Sequence, residues 1–359
     1  MNTSYYAVIM AGGIGSRFWP MSRSSYPKQF HDVMGTGRTL IQASFDRLQG
    51  LIPTENILVI TSAEYTPQVK EQLPELSNEN ILAEPIGRNT APCLAYSSFR
   101  ILKEQPNAQV LISPADHLIR DEEKFRNDLE LALKTSASKD YIMTLGIVPT
   151  RPDTGYGYIQ YHSDEAENGY YKVKTFTEKP NLEMAKTFVR SGDFLWNSGI
   201  FVSSAATFVA AFKRFLPEMH DQFEGIQAEL CTAAETGAIA EVYGAVKPIS
   251  IDYGIMEKAE NVYVIKSNFD WSDLGTWNSL YEQQEKDEAG NAVQGKALLL
   301  DSARNMVYNS GSKQLVLKDI EDFIVVNTAD VLLILPRENE QAVKEVVAAI
   351  RSNKLDKLL

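Results

Sequence analysis

Residues 11–17 combine the side-chain types and the spacing of a loop that binds phosphate groups. The run Ala11-Gly12-Gly13-Ile14-Gly15-Ser16-Arg17 follows an apolar segment, Tyr5 to Met10, and holds three glycines within four positions. Glycine permits positive φ angles and lets backbone N–H groups approach an anion more closely than a Cβ would allow. Of the 47 acidic residues in the 359-residue chain, none precedes Asp32. Because carboxylates repel a polyphosphate, this composition favours a loop for nucleotide phosphates.

Two well-known phosphate loops differ from this one. The dinucleotide-binding pattern G-x-G-x-x-G has a third glycine and opens a helix, whereas this run lacks that glycine, and Pro20 and Pro27 prevent an immediate long helix. The Walker pattern is also absent, since no Gly-Lys-Ser/Thr occurs in this segment. A glycine-rich turn that only packs is the simplest alternative, but the basic residues Arg17, Arg23 and Lys28 favour an anion site.

Two acidic residues further along the chain are candidate ligands for a divalent cation. Asp116 follows an apolar segment, Gln109 to Ser113, that has the character of a buried strand. A carboxylate at such a strand end suits Mg²⁺, which prefers carboxylate oxygens and substrate phosphates as ligands. Asp273 lies in the turn-rich segment Asp270-Trp-Ser-Asp-Leu-Gly-Thr-Trp277. Taken alone, an aspartate at a strand end is more often a turn or capping residue, and two acids so far apart in sequence indicate no common site.

Alternating strand and helix patterns predict the framework that must carry these residues. From the N-terminus to Ile147, apolar runs of strand type alternate with helical spacings, which indicates βαβ units and a mostly parallel sheet covered on both faces. Ligands of such sheets bind beyond the carboxyl ends of the strands. The predicted strands are Tyr5–Met10, Asn56–Thr61, Ile81–Ala83, Gln109–Ser113 and Tyr141–Ile147, and the predicted helices are Leu40–Leu48, 64–73, Thr90–Lys103 and 121–135.

The middle of the chain is irregular and rich in tyrosine. In the turn-rich segment Thr150-Arg-Pro-Asp-Thr-Gly-Tyr-Gly-Tyr158, glycines beside tyrosines let the backbone approach a sugar ring on which the aromatic faces pack. Phe176-Thr-Glu-Lys-Pro180 carries a Glu–Lys pair suited to sugar hydroxyls and to a second phosphate. Asn197, which we expect immediately before a strand, has an amide suited to vicinal hydroxyls. Taken alone, the glycine–tyrosine and Glu–Lys signals equally fit turns and a solvated surface.

The composition changes at about residue 281. Short strands then recur at a spacing of about eight to ten residues, which predicts a small β-rich appendage built from partial turns of a β-helix. A final amphipathic helix is predicted over Glu338–Arg351, where it would either pack back on the chain or bind a second subunit. We therefore expect an α/β domain with a Rossmann-like, mostly parallel mixed sheet over 1–280 and a β-rich domain with a terminal helix over 281–359.

Composition and charge limit the classes of partner. A net charge of −12 and a pI near 5.0 argue against nonspecific binding to nucleic acid or to an anionic membrane. The sequence has no apolar run of membrane-spanning length, and its N-terminus lacks the basic and apolar regions of a signal peptide. Cys93 and Cys231 form neither a metal-spaced cluster nor a disulfide framework. We expect a cytoplasmic protein that binds neither nucleic acid nor membranes.

Together, the motifs resemble those of the sugar-phosphate nucleotidyltransferases. Gly-Gly-x-Gly-x-Arg with Pro20 and then Pro27-Lys28 resembles the signature loop of that family, and the longer run AGGIGSRFWPMSRSSYPKQF resembles its mannose-1-phosphate guanylyltransferase branch. The resemblance covers residues 7 to about 280, with two departures, Thr177 where valine is usual and Gly254 where alanine is usual. Further matching segments are Glu84–Pro92, Ser113–His117, Phe176–Pro180, Leu195–Phe201, Ser250–Lys258 and Asp270–Trp277.

The resemblance implies Mg²⁺-dependent transfer of GMP from GTP to α-D-mannose 1-phosphate. It implies that the glycine loop cradles the phosphates, that Arg17 stabilises the leaving pyrophosphate, and that Lys28 and Lys179 hold the α- and sugar phosphates. It also implies that Asp116 and Asp273 are the Mg²⁺ ligands. The implied nucleotide-binding residues are Ala11, Gly12, Gly13, Gly15, Ser16, Glu84, Pro85, Arg88 and Asn89. The implied sugar-phosphate-binding residues are Tyr156, Gly157, Glu178, Lys179, Asn197 and Asp252. Asp252 fits the N-cap of a helix equally well.

Several alternatives remain open on the sequence. The same chemistry fits a heptose 1-phosphate with GTP, or a glucose 1-phosphate with dTTP or UTP. A catalytically silent subunit that senses nucleotides would have the same fold, although the intact basic loop and both aspartates disfavour it. An NAD-dependent oxidoreductase is disfavoured by the missing third glycine. A homodimer through the C-terminal region is one of the two expectations for the final helix.

Overall fold

The computed structural model of the chain describes residues 3–359, except for the side chain of Glu165. The first two residues of the predicted domain 1–280 therefore lie outside the described part. The strands are β1 (Tyr5–Met10), β2 (Ile57–Ser62), β3 (Ile81–Glu84), β4 (Gln109–Pro114), β5 (Leu118–Ile119), β6 (Ile142–Ile147), β7 (Gly157–Glu167), β8 (Tyr170–Glu178), β9 (Phe194–Ser204), β10 (Val262–Ser267), β11 (Trp271–Ser272), β12 (Ala292–Gly295), β13 (Ala297–Leu300), β14 (Met306–Asn309), β15 (Leu315–Lys318), β16 (Phe323–Asn327) and β17 (Leu332–Pro336). The α-helices are α1 (Leu40–Leu48), α2 (Thr66–Gln72), α3 (Thr90–Glu104), α4 (Glu122–Ser136), α5 (Leu182–Ser191), α6 (Ala205–Phe215), α7 (Pro217–Gly225), α8 (Glu235–Ala245), α9 (Trp277–Gln283) and α10 (Val343–Ser352).

The chain divides into two compact units. The first unit runs up to Gly12 and continues over Ser44–Ala115 and Ile119–Trp271. The second unit is formed by Gly13–Ala43, Asp116–Leu118 and Ser272–Leu359.

A nine-stranded mixed sheet forms the first unit, with the strand order β3-β2-β1-β4-β9-β6-β10-β8-β7. Strand β1 pairs in parallel with β2 on one side and with β4 on the other, so the order of the strands reverses at this point. The chain leaves β1 at Met10 and enters the glycine loop there, which is where ligands of open α/β sheets bind. The predicted α/β class and mixed sheet are confirmed.

The core of the first unit explains why its strands read as continuous apolar runs. Side chains on both faces of β1, β2 and β4 are fully buried, as expected of strands covered by helices on both sides. The eleven-residue strand β9 runs antiparallel to β4, β6 and β7. Asn197 lies inside β9, and the prediction that it precedes a strand is therefore wrong. After β9 the chain forms three helices, α6, α7 and α8, because Pro217 starts a new helix and 226–234 forms turns.

The C-terminal part of the second unit is a short β-helix. Strands β12, β14 and β16 stack in parallel, β13 and β15 form a second parallel pair, and β17 returns antiparallel to β16. Asparagines, three of them buried, form hydrogen bonds between successive coils: Asn305 donates from Nδ2 to Asn291 Oδ1 (2.9 Å), and Asn327 donates to Asn309 Oδ1 (2.8 Å). These side chains satisfy the buried polar groups at the corners of the coils.

One apolar cluster holds the second unit together. Phe18, Trp19 and Trp277 are buried in it with side chains of β14, β16, β17 and α10. The glycine loop and the C-terminal strands thus share a core. The final helix is shorter than predicted, because Arg337–Ala342 forms 3₁₀ turns with a kink at Asn339, and α10 begins only at Val343. The domain boundary at 280 stays a prediction.

Candidate functional site

The glycine loop of the second unit ends in a tight turn that requires glycine. Gly15 has φ +69° and ψ 41°, and a Cβ at this position would lie 2.6 Å from the Cβ of Lys28. Any other residue would therefore both strain the backbone and collide with Lys28. A single 3₁₀ turn, Ser16–Phe18, follows and presents the half-buried side chain of Arg17. The main-chain N–H of Lys28 donates to the carbonyl of Ile14 (3.2 Å), which fixes the two ends of the loop together.

Lys28 is buried and fully hydrogen-bonded. Its ammonium donates to the Asp116 carboxylate (2.8 Å) and to the main-chain carbonyls of Asp273 (3.0 Å) and Leu274 (2.9 Å). These three bonds use the three protons of the ammonium group. The sequence predicts that Lys28 contacts a phosphate directly. For this, one of these three bonds must be replaced by a bond to the phosphate. The contacts also show that Lys28 joins the segments that carry the two predicted metal ligands.

Asp116 and Asp273 line the same cavity of about 310 Å³ in the second unit. Burial raises the pKa of Asp116, but the Lys28 ammonium and His117 outweigh this effect and hold the pKa below its ordinary value. Asp273 is half-buried, and its Oδ1 accepts a bond from the N–H of Gly275 (2.9 Å). The remaining lining residues are Gly15, Ser16, Arg17, Phe18, Lys28, His117 and Gly275. Two carboxylates beside backbone amides and arginine form a donor set that fits a hard divalent cation bound together with phosphates.

In the first unit, Glu84 forms a buried acidic site at the end of β3. Its carboxylate accepts a hydrogen bond from the hydroxyl of Tyr243 (2.9 Å). Burial raises the pKa of Glu84 to about 7, and the Tyr243 bond opposes this only in part. A Cβ at Gly12 would lie 3.2 Å from Glu84 Oε2, so glycine leaves the carboxylate room beside the main chain. Ala11 is buried, and its N–H donates to the carbonyl of Ile60 (2.8 Å).

The rest of the predicted base-binding segment forms a loop before α3. Asn89 has φ +68° and caps α3, because its side-chain oxygen accepts from the N–H of Thr90 (2.8 Å). The Arg88 guanidinium donates to the main-chain carbonyl of Tyr243 (2.9 Å). Tyr243 thus contacts both Glu84 and Arg88, a link that the sequence pattern did not indicate. Pro85 is exposed.

Four of the predicted sugar-binding residues lie together in the first unit. Asn197 donates from Nδ2 to Asp252 Oδ1 (3.0 Å), and a Cβ at Gly157 would lie 2.4 Å from Glu178 Oε2 and 3.2 Å from Asn197 Cβ. Burial, and next the nearby Glu178, raises the pKa of Asp252 to about 6. Asp252 begins a single π-helical turn without capping it, so the N-cap alternative is wrong. The cluster offers carboxylate and amide groups of the kind that bind hydroxyls.

The neighbours of this cluster are Lys179 and Tyr156. Lys179 has φ +48°, and its exposed ammonium pairs with the buried Glu178. Its main-chain N–H donates to the carbonyl of Tyr156 (3.2 Å). The Tyr156 ring is buried and packs edge-on against Trp196, with ring centroids 5.0 Å apart. The Arg151 guanidinium lies 5.2 Å from the Trp196 ring and adds a cation that the sequence-based prediction missed, although it lies in the turn-rich segment.

Comparisons with known proteins agree with both parts of the chain. A family model described as nucleotidyl transferase matches residues 6–290, and a second, described as a MannoseP isomerase/GMP-like beta-helix domain, matches residues 295–350. The predicted β-helix is thus confirmed. Mannose-1-phosphate guanylyltransferases from Klebsiella pneumoniae and Escherichia coli are each 36% identical over 96% of this chain and 74% of their own length.

A solved structure gives the same result at the level of the fold. A crystal structure described as a mannose-1-phosphate geranyltransferase from Thermus thermophilus superposes with a TM-score of 0.86 and 33% identity, covering 97% of this chain and 99% of that chain. Among the described residues 3–359, no helix combines the length and the apolar character needed to cross a bilayer.

Proposed function

This chain belongs to the nucleotidyl transferase family, in its mannose-1-phosphate guanylyltransferase branch, and on that premise we propose that it transfers GMP from GTP to α-D-mannose 1-phosphate. The products are GDP-mannose and pyrophosphate. An oxygen of the sugar phosphate forms a bond to the α-phosphorus, and the bond from the α-phosphorus to the β-phosphate oxygen breaks. Because the attacking oxygen is already ionised, the reaction needs neither a protein nucleophile nor a general base, and positioning and charge neutralisation supply the catalysis.

One observation carries the proposal: the cavity of the second unit combines the glycine loop, Arg17 and two aspartates. In the proposed reaction the main chain of the glycine loop binds the triphosphate, and Arg17 stabilises the charge that develops on the leaving pyrophosphate. Asp116 and Asp273 would hold Mg²⁺, which supplies charge neutralisation on the phosphoryl oxygens when bound. The lowered pKa of Asp116 supports this assignment, because a metal ligand must be ionised.

The first unit supplies the groups that would select the substrates. We assign the base and ribose to the segment with Glu84, Pro85, Arg88 and Asn89, and the sugar hydroxyls to Glu178, Asn197 and Asp252. Lys179 is exposed and would exchange its pairing with Glu178 for the sugar phosphate.

The proposal is tested by pyrophosphate release from the purified protein with Mg²⁺, over four nucleoside triphosphates and several sugar 1-phosphates. We expect the pair of GTP and mannose 1-phosphate to dominate. Dominance of a heptose 1-phosphate with GTP, or of glucose 1-phosphate with dTTP or UTP, would contradict the substrate assignment and retain the chemistry. If no pair released pyrophosphate while GTP still bound, the protein would be a nucleotide-sensing subunit.

A homodimer through the C-terminal region is proposed on the exposed aliphatic side chains of the parallel pair β13 and β15. Leu298, Leu300 and Val316 are each more than 40% exposed on this pair. Light scattering at several concentrations tests the proposal, with Val316→Glu expected to give a monomer. Leu182→Glu, at an exposed leucine of the first unit, serves as the control, and an unchanged mass in the Val316 variant would contradict the dimer.

A further inference from the structure

The turn that carries Arg17 has little internal support. It is a single 3₁₀ turn of three residues, closed by the N–H of Phe18 on the Gly15 carbonyl (2.9 Å) and by the N–H of Trp19 on the Ser16 carbonyl (3.2 Å). One turn of helix is not stable in isolation, because fixing its dihedral angles costs more than its hydrogen bonds return. The position of Arg17 therefore depends on what packs against this turn.

Trp19, two residues after Arg17, connects the turn to the C-terminal tail of the same unit. Its indole N–H donates to the main-chain carbonyl of Leu358 (2.7 Å), and the residue is 5% exposed. The carbonyl of Trp19 in turn accepts from the indole N–H of Trp277 (3.2 Å), which lies four residues after Asp273. Trp19 thus joins three segments: the Arg17 turn, the Asp273 segment and the tail.

Apolar contacts reinforce these hydrogen bonds. Helix α10 contacts the turn Ser16–Phe18, and Val343 and Ile350 of this helix belong to the same buried cluster as Phe18 and Trp277. The Phe18 and Trp277 rings lie 5.0 Å apart. Protein interiors have low compressibility, so side chains buried in such a cluster transmit small displacements.

We propose that the C-terminal segment Val343–Leu359 positions the glycine loop for catalysis, with Trp19 as the positioning residue that couples the tail to Arg17. The inference rests on the proposed function of the loop as the triphosphate site. Trp19 touches no reacting atom in this assignment. It sets the place of Arg17 through the Leu358 and Trp277 bonds, so a change at the tail alters turnover while the sugar-binding residues of the first unit are unaffected.

The test is a double-mutant cycle between Trp19→Phe, which removes the indole donor and keeps an aromatic ring, and deletion of residues 355–359, which removes the acceptor. Each change alone is expected to lower kcat about tenfold, since sub-ångström to ångström displacement of a catalytic group has effects of this order. The Michaelis constant for mannose 1-phosphate is expected to stay unchanged. The combined variant should lose less than the product of the two single effects, because both changes remove the bond between Trp19 and Leu358, while the deletion also removes the packing of Leu358 and Leu359 on the apolar cluster.

Amide hydrogen exchange supplies a readout that does not depend on activity. In both variants the amides of Phe18 and Trp19 are expected to exchange about five- to tenfold faster, as loss of one supporting hydrogen bond predicts. Exchange in β1, β2 and β4 should not change. Leu332→Ala, at an exposed leucine of β17 in the same unit but outside the tail, is the control and should leave kcat and loop exchange as in the wild-type protein.

The outcomes separate this inference from the proposed function. If the wild-type protein released no pyrophosphate with any substrate pair, the proposed function would fail, and loop exchange would still decide whether Trp19 couples the tail to the turn. Effects of Trp19→Phe and of the deletion that multiply in kcat would overturn the inference. It would also be overturned if Trp19→Phe lowered only the melting temperature and left kcat and loop exchange unchanged. Should the deletion variant not fold, Trp19→Phe alone still tests the coupling through kcat and loop exchange.

Discussion

The two units handle their buried carboxylates in opposite ways. In the first unit, burial raises the pKa of Glu84 to about 7 and that of Asp252 to about 6. In the second unit, Asp116 is also subject to burial, yet its pKa is lowered. The difference lies in the partners: Glu84 and Asp252 accept bonds from a neutral hydroxyl and a neutral amide, whereas Asp116 has the Lys28 ammonium at 2.8 Å.

This contrast separates two chemical tasks. A carboxylate held ionised by an adjacent cation is suited to a divalent cation and to phosphates, because its charge is present at every physiological pH. A carboxylate whose proton leaves near neutrality is suited to uncharged ligands such as hydroxyls and base N–H groups, to which it can bind in either protonation state. The contrast supports the proposed assignment of phosphate chemistry to the second unit and of substrate selection to the first.

The largest effect is expected from removing the charge of Asp273. Asp273→Asn keeps an oxygen to accept the bond from Gly275 N–H, so the turn should survive while a metal ligand is weakened. We expect turnover to fall about 10³-fold, since a Lewis acid supplies several kcal/mol of charge stabilisation. Pyrophosphate release at saturating substrates measures this.

The matched control is Asp270→Asn. Asp270 lies three positions before Asp273, and its side chain is 60% exposed. Its turnover is expected to stay within about twofold of wild type. An equal loss in the two variants would mean that general electrostatics, and not a cation site in the second unit, accounts for the effect. In that case the contrast between the units would lose its functional meaning.

A smaller effect is expected from Arg17→Ala. Removing this guanidinium should lower kcat about 10²-fold, the order found for one preorganised group that stabilises developing charge. The melting temperature should barely change, because the side chain is half-buried on a short turn. Because the proposed sugar-binding residues lie in the first unit, the Michaelis constant for mannose 1-phosphate should stay constant, and wild-type turnover would remove Arg17 from the mechanism.

The sequence predicts the fold of the molecule better than the partners of its side chains. Strand β1 and helix α1 have the predicted bounds, because apolar periodicity depends on local residues. The bonds of Lys28 to Asp116 and to the 273–274 carbonyls are between residues far apart in the chain, and no local pattern reports such contacts. Tyr243 is a further example: it contacts Glu84 from a helical stretch that has no motif.

The glycine loop shows the same limit within one motif. Its three glycines indicate that the backbone approaches a ligand closely, but only the structure shows why glycine is needed at each position. Gly15 needs a positive φ beside Lys28, Gly12 leaves room for Glu84, and a Cβ at Gly13 would meet nothing within 4 Å. The motif therefore predicts where the site lies, whereas the role of each residue depends on tertiary neighbours.

Asp252 should give the first unit a pH dependence that the second unit lacks. With a pKa of about 6, Asp252 is ionised at pH 7.5 and about 90% protonated at pH 5. If sugar hydroxyls donate to the carboxylate, the Michaelis constant for mannose 1-phosphate should rise about tenfold over this range. Asp252→Asn should show a raised constant at pH 7.5 and a smaller dependence on pH.

The variant also serves as the control for the substrate. A phosphate monoester has its own second pKa near 6, so part of the pH dependence belongs to mannose 1-phosphate itself. The difference between the wild-type and Asp252→Asn profiles isolates the contribution of Asp252. Parallel profiles would contradict a role for its charge in binding the sugar.

The smallest effect concerns stability and isolates burial from ligand binding. Since the pKa of Glu84 is about 7 in the folded state and near 4.5 in the unfolded chain, the folded state binds more protons between these values, and the free energy of unfolding falls as pH rises towards 7. At pH 8 the ionised, buried carboxylate lowers the free energy of unfolding by roughly 2–4 kcal/mol.

Glu84→Gln removes this charge and keeps an acceptor for the Tyr243 hydroxyl. Without ligands, we expect its melting temperature at pH 8 to exceed that of the wild type by roughly 3 °C, and the difference to shrink at pH 5, where Glu84 is protonated. A variant that melts below the wild type by the same amount at both pH values would contradict this expectation. It would mean that the charge of Glu84 is compensated as fully as that of Asp116. The two units would then differ only in the ligands that they bind.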